Sequence, residues 1–153
     1  MSNRKTLADI VRSNRLISLA PEVTVAAASA AMATRRRGVV AVIANGALVG
    51  IVTERDIIFR VVAQGRDASQ VQIVEVMTRI HETLPADARP VEALDMMQTF
   101  GSRYIPVVAN GKVIGIVTVR ELFGEVRREL LEGINDRCEF LFGSGYSVPA
   151  ELH

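Results

Sequence analysis

Two seven-residue stretches carry residues whose types and spacing could do chemistry, and they are near copies: GIVTERD, Gly50 to Asp56, and GIVTVRE, Gly115 to Glu121. Each has a threonine at the end of an apolar run of strand length, an arginine two residues on and a carboxylate three on. If a strand gives way to a helix at Thr53 and Thr118, free N–H groups and the positive end of the helix dipole gather there, a setting that favours phosphate. Arg55 and Arg120 offer planar forks of donors to phosphate oxygens. Asp56 can accept both hydroxyls of a ribose, as an acidic residue does in dinucleotide folds. The same spacing is also a capping box, which needs no ligand: the threonine hydroxyl accepts from the third helical N–H and the acid reaches back to the cap. Glu121 is the residue a capping box prefers, and its extra methylene moves the carboxylate away from where an aspartate would meet a ribose. The expectation is one competent cleft at Asp56 and one degenerate or differently selective cleft at Glu121.

The elements that must position these groups repeat with them. Gly50 returns as Gly115 at an offset of 65, and the same offset carries Asn45-Gly46 onto Asn110-Gly111 and VVAVIA (39–44) onto YIPVVA (104–109). It also carries SLAPEVTVAAASAAM (18–32) onto TLPADARPVEALDMM (83–97), while ADIVR (8–12) resembles VEVMT (74–78) after a one-residue slip. An internal duplication governs the fold. Each half reads as a short strand, a helix with apolar positions at Val25, Ala28 and Met32 or Val91, Leu94 and Met97, then two strands around Asn-Gly and a second helix. Asn-Gly between apolar runs is the strongest short-range hairpin signal. A unit of about 45 residues is too small for a stable core alone, so two must pack together. The predicted fold class is mixed α/β (α+β): two β-α-β-β-α repeats related by a pseudo-twofold axis. They occupy 16–64 and 76–126, between an N-terminal helix and linker (1–15) and a C-terminal helix with an irregular tail (127–153).

Composition narrows the function classes. The 153 residues are 49% apolar, enough for a real core, and the net charge of +1 with scattered basic residues argues against nucleic acid as a partner. No apolar run approaches the roughly 18 residues of a membrane span and the N-terminus has no cleavable apolar leader, so a cytoplasmic protein is expected. One cysteine and two histidines exclude an intrachain disulfide and leave little for a metal centre or a histidine-activated nucleophile. No catalytic residues are assigned. His81 reads as a loop residue, and Cys138 as core or interface.

The order PEVTVAAA, GVVAVIANG, LVGIVTERDI, with RYIPVVANGKVIGIVTVREL in the second half, resembles the paired cystathionine-β-synthase (CBS) domains, or Bateman modules, over about Leu16 to Phe123. The resemblance implies a tandem CBS pair that senses an adenine nucleotide (AMP, ADP, ATP or NAD) or S-adenosylmethionine in clefts between the halves. Thr53 and Asp56 would hold ribose and Arg55 phosphate, with adenine against Val39, Val40 and Ala41. The second-half counterparts are Thr118, Arg120 and Glu121, with Tyr104, Ile105 and Pro106 on the strand. There the family's Asn or Asp is replaced by Glu. Ser18 and Thr83 mark equivalent strand ends near the clefts, and Arg37, of the run Arg35 to Arg37, stands at a cleft mouth, with Arg103 in the comparable place. Either reading of these side chains, surface hydroxyls and a solvated helix end or ligand contacts, stays open.

Leu122, Val126, Leu130, Ile134 and Cys138 recur every four residues on a helix that outlasts the repeat, and that stripe must be buried on the N-terminal helix or on a second copy. The resemblance implies a homodimer. Two functions follow: a nucleotide sensor acting in trans on an unknown protein partner, or an interaction scaffold in which both Thr-x-x-acid motifs only cap helices.

Overall fold

Asn-Gly at 45–46 and 110–111 turns the chain back on itself twice: in a computed structural model all four residues have positive φ, 51° and 78° in the first pair, 50° and 74° in the second. Such paired left-handed residues match the twist of the flanking strands, which is why Asn-Gly is favoured there. The structure describes residues 4–14, 16–80 and 82–142. His81, the Cys138 side chain and the tail from 143 lie outside the described residues.

In chain order the elements are α1 (Leu7–Val11), β1 (Ser18–Leu19), α2 (Val25–Arg35), β2 (Val39–Ala44), β3 (Ala47–Thr53), α3 (Glu54–Ile57) continuing into a π-helical turn (Ile58–Val62), and α4 (Ile73–Val76). They continue with β4 (Thr78–Arg79), β5 (Leu84–Pro85), α5 (Pro90–Phe100), β6 (Tyr104–Ala109), β7 (Lys112–Thr118) and α6 (Val119–Phe142). Two sheets result, ordered β1-β2-β3-β4 and β5-β6-β7. The hairpins share one register: Val39 faces Thr53 and Tyr104 faces Thr118, with irregularities at Val42/Ile43 and at Val107/Val108, again 65 residues apart. In both units β1 or β5 runs parallel to the first hairpin strand. The two-repeat α+β architecture is as the sequence predicts.

Strand alternation sorts the core into three layers. Val40 and Val42 of β2 join Val25, Met32 and Val52 in the first unit, while Ile105 and Val107 of β6 join Ala93, Met97 and Val117 in the second. The opposite faces meet: Val39, Ala41, Ile51 and Ile116, with Tyr104 against them, form the seam between units. Both strands are therefore buried on two faces.

The short helices exchange units. Residues 1–15, read from sequence as a helix and linker, supply α1, whose Leu7, Ile10 and Val11 complete the second unit's core. Ile73 and Val76 of α4 complete the first. Their unpaired N–H groups find matching partners: Leu7 and Ala8 donate to the carbonyls of Ala88 and Ala86 (2.9 and 2.8 Å), Ile73 and Val74 to those of Val23 and Pro21 (2.8 and 3.1 Å). This packing explains both motif glycines. A Cβ at Gly115 would lie 2.5 Å from Val11 Cβ, and one at Gly50 would lie 2.7 Å from the Thr78 carbonyl oxygen. The close approach that Gly50 permits is to its own chain.

The α6 stripe is only partly covered. Leu122 is fully buried with the α1 residues, whereas Leu130 and Ile134 are 63% and 45% exposed. Ion pairs Lys5–Glu125 and Arg89–Glu129, each 2.8 Å, fix the helix to the N-terminal segment and to the start of α5. No helix among the described residues is long and apolar enough to cross a membrane.

Candidate functional site

Where the seam reaches the surface, the strand-to-helix junctions of the two units open into two adjoining cavities. The smaller, about 190 Å³, is lined by Ile51, Thr53 to Asp56, Thr78 and Gly101 to Tyr104. The larger, about 720 Å³, is lined by Arg36 to Val39, Glu54, Arg103, Tyr104 and Thr118 to Glu121. Glu54, Arg103 and Tyr104 are common to both. Each cavity thus combines a Thr-x-x-acid junction from one unit with the helix-to-strand corner of the other. Pockets that take whole small-molecule ligands run from roughly 300 to 1,000 Å³, a range in which the larger cavity falls. The sequence places the competent cleft at Asp56, which lines the smaller cavity; the roomier cavity lies on the Glu121 side.

Both junctions are capping boxes. The Thr53 N–H and hydroxyl donate to Asp56 Oδ2 (2.9 and 3.0 Å), and the Asp56 N–H donates to Thr53 Oγ1 (3.2 Å). Asp56 Oδ1 accepts from the Thr78 hydroxyl at 3.2 Å and lies 3.7 Å from Arg60 Nη1. With 8% of its surface exposed, Asp56 is the buried charged residue among those described. Its four lone-pair sites are largely committed within the chain. Glu121 Oε2 accepts from the Thr118 N–H at 2.9 Å, and Thr118 Oγ1 accepts from the Glu121 N–H at 3.3 Å. Its Oε1 turns across the seam to Arg37 Nη1 at 2.8 Å, while Arg37 Nη2 donates to the Ile116 carbonyl at 3.1 Å. The extra methylene of Glu121 is what lets one carboxylate serve both the helix start and the other unit.

The remaining sequence candidates separate. Arg55 is exposed at the rim of the smaller cavity and Arg120 at that of the larger. Val39 and Ala41 lie at the seam, and Val39 lines the larger cavity, but Val40 and Ile105 point into the cores of their own units. Tyr104 stands between the cavities, and Pro106, buried, shares its face by alternation. Burial above all, and then the Glu54 carboxylate, raise the Tyr104 phenol above its ordinary value, against the lowering by Arg103, Arg37 and Arg55. It remains a hydrogen-bond donor. Ser18 and Thr83 are outside the linings of both cavities, both exposed, at or just before their strand starts.

Four polar lining residues, Glu54, Arg36, Ser102 and Thr78, are given no site role by the sequence reading. Glu54 stands inside the motif itself, and its repeat counterpart Val119 is uncharged, a difference visible at the offset of 65. Arg36 adopts a left-handed conformation (φ 51°) where its counterpart Gly101 does the same (φ 65°), so a glycine in one repeat marks the strained arginine of the other. Ser102, and not Arg103, is the counterpart of Arg37 at the offset of 65, and it donates its hydroxyl to the Tyr104 carbonyl at 2.8 Å. Thr78 reaches Asp56 only because β4 pairs with β3, which no local pattern announces.

Comparison with known proteins identifies the family. The sequence model of the CBS domain matches twice, over residues 7–63 and 73–128. The CBS domain-containing protein CBSCBSPB3 of Arabidopsis thaliana is 31% identical over 97% of this chain, which spans 28% of that protein. An uncharacterized 17.7 kDa protein of Acidianus ambivalens is 33% identical over 73% of this chain and 68% of its own length. A solved structure from Burkholderia ambifaria MC40-6, described as a candidate signal-transduction protein with CBS domains, superposes with a TM-score of 0.74 at 26% identity, covering 82% of this chain and 96% of the other. The chain belongs to the CBS-domain family, as a tandem pair.

Proposed function

We propose that this CBS pair is a regulatory module that binds an adenosine phosphate, AMP, ADP, ATP or NAD, in the larger seam cavity and relays its presence in trans to a protein partner. The observation that carries the reading is the lining of that cavity. Four arginines, Arg36, Arg37, Arg103 and Arg120, face two glutamates around about 720 Å³, beside the start of the long helix α6. An excess of guanidinium at a helix start suits phosphate, and Tyr104 with Val39 offers apolar surface for a base. A ligand there touches both units, so its binding energy can bias how they sit together. Signalling, in the description of the Burkholderia protein, is in keeping with such a role. The module acts by binding and assigns no catalytic residue. A homodimer covers the exposed stripe, Phe123, Leu130 and Ile134 on α6, with Ile58 and Val62 of the first unit. A single cysteine and a nucleotide ligand suit a cytoplasmic setting.

A second reading, an interaction scaffold without ligand, is favoured by one observation: both motif carboxylates are engaged in capping boxes. Calorimetric titration separates the two. AMP, ADP, ATP, NAD and S-adenosylmethionine are titrated into the wild type, freed of copurified nucleotide, and into Arg120→Ala and Asp56→Asn. Binding of an adenosine phosphate that Arg120→Ala weakens supports the sensor and the larger cavity. Loss only in Asp56→Asn moves the site to the smaller cavity. No heat with any ligand leaves the scaffold standing.

A further inference from the structure

The two cavities differ most in what the motif carboxylate holds. Glu121 Oε1 pairs with Arg37 Nη1 at 2.8 Å, the Arg37 and Glu121 side chains being 18% and 24% exposed, and a second bond ties Arg37 Nη2 to the Ile116 carbonyl at 3.1 Å. The guanidinium that points from the first unit into the larger cavity is thus neutralised by a carboxylate of the second. Among the described residues, no carboxylate comes within ion-pair distance of the other three lining arginines, Arg36, Arg103 and Arg120. The smaller cavity has no such pair: the counterpart of Arg37 is Ser102, bonded to the Tyr104 carbonyl, and Asp56 turns to Thr53 and Thr78.

We propose that Glu121 is a charge gate on the larger cavity, holding Arg37 so that a ligand with a di- or triphosphate-like cluster of negative charge takes the guanidinium and a monophosphate does not. The inference rests on the nucleotide reading above and sharpens it to a selectivity. A single phosphate that captures Arg37 exchanges one charge-assisted pair for another and leaves Glu121 as a like-charged neighbour, so it gains little. A polyphosphate reaches Arg37 and, with its remaining oxygens, Arg103 or Arg120, and those additional bonds outweigh the pair that is broken. Glutamate is needed for this geometry. Its longer side chain reaches Arg37 with Oε1 while Oε2 keeps the Thr118 N–H at 2.9 Å.

The test uses inorganic phosphate and inorganic tripolyphosphate, titrated at fixed ionic strength into the wild type, Glu121→Gln, Arg37→Gln and the double variant. Glu121→Gln retains an acceptor for the Thr118 N–H, and Glu121→Asp provides a second variant that keeps the charge but shortens the reach. The gate predicts that Glu121→Gln and Glu121→Asp both bind phosphate about fivefold more tightly than the wild type, the measure of a partly exposed ion pair. The preference for tripolyphosphate over phosphate then narrows by a similar factor. In the Arg37→Gln background the Glu121→Gln gain should vanish. Persistence of the full gain there means a plain field effect and overturns the gate. Weaker binding in Glu121→Gln, or no binding of either anion to any variant, overturns it too. If the anion pattern appears but no adenosine ligand binds, the nucleotide reading falls and the gate stands. If nucleotides bind and Glu121→Gln leaves their di- and triphosphate preference unchanged, the gate alone falls.

Discussion

Replacing Asp56 with alanine measures how far the motif carboxylate belongs to the fold. The chain contains its own control, because Thr6 and Asp9 form the same box at the start of α1: Asp9 Oδ2 accepts from the Thr6 N–H and hydroxyl at 2.9 and 3.1 Å, against 2.9 and 3.0 Å at Thr53 and Asp56. The two bonds to the carboxylate match, although Thr53 Oγ1 also accepts from the Asp56 N–H at 3.2 Å while the Asp9 N–H donates to the Thr6 carbonyl at 3.1 Å; the surroundings differ more. Asp9 is a 39% exposed side chain and Asp56 a 10% exposed one, and Asp56 alone ties its helix to β4 through Thr78. Water replaces the lost acceptor at Asp9. At Asp56 it reaches the exposed Thr78 hydroxyl but not readily the Thr53 N–H, which is left orphaned beside the seam. Loss of the cap with one orphaned donor costs about 2 kcal/mol. For a chain of this size that lowers the urea midpoint by about 1 M with an unchanged slope. Asp9→Ala should move the midpoint distinctly less, and Thr78→Val should reproduce only a minor part of the Asp56 loss. If Asp56→Ala shifts the midpoint no further than Asp9→Ala, burial is not what distinguishes the two boxes and the reasoning fails.

Other outcomes are equally direct. Arg36→Gly relieves a left-handed backbone that Gly101 adopts freely in the other repeat, and should raise stability by about 0.5 to 1 kcal/mol while weakening any polyanion in the larger cavity, as thermal melts and titration would read. Gly115→Ala places a Cβ 2.5 Å from Val11 Cβ and should cost about 2 kcal/mol or more in urea unfolding, with α1 protection from hydrogen exchange lost first. The Glu125 carboxyl is held below its ordinary value, first by the bond from Lys5 and then by Arg128, against burial. A depressed folded value adds stability above the ordinary glutamate range that disappears as pH falls through the folded value. The midpoint gap between wild type and Glu125→Gln should therefore be widest near pH 7 and narrow as pH falls below the ordinary glutamate range, closing once the depressed value is passed. Leu130→Asp with Ile134→Asp should convert a dimer to monomers in light scattering; an unchanged mass would place the interface elsewhere.

The repeat made most of the fold legible before any coordinate. Asn-Gly pairs, strand-length apolar runs and threonines at the helix starts recur 65 residues apart, and the hairpin registers recur with them. What stayed hidden depends on contacts distant in sequence. Strand alternation can say that Val39 and Val40 face opposite ways, but not that the Val40 side is core and the Val39 side is seam; that follows from the docking of the second sheet. For α1 the stripe on α6 offered the N-terminal helix as one of two places to pack, and Leu122 takes it; the packing of α4 on the first unit had no such sign, since a short amphipathic helix carries no mark of which core it completes. The trace of both was the glycine pair, which the packing assigns to close contacts with Thr78 and Val11.

The capping boxes and the ligand reading need not compete, because the same geometry serves both. A helix start facing a seam must either satisfy its N–H groups internally or leave them for an anion. The first unit takes the first course so fully, with Oδ2 on Thr53 and Oδ1 on Thr78, that its carboxylate has little left to offer. The second unit satisfies one N–H with Oε2 and turns Oε1 to Arg37, a contact across the seam. A contact across the seam is the kind that a ligand bridging two units can exchange for its own. The point at which the two motifs differ, Glu121 where the first repeat has Asp56, is thus the one that links the two repeats, and the roomier cavity lies beside it.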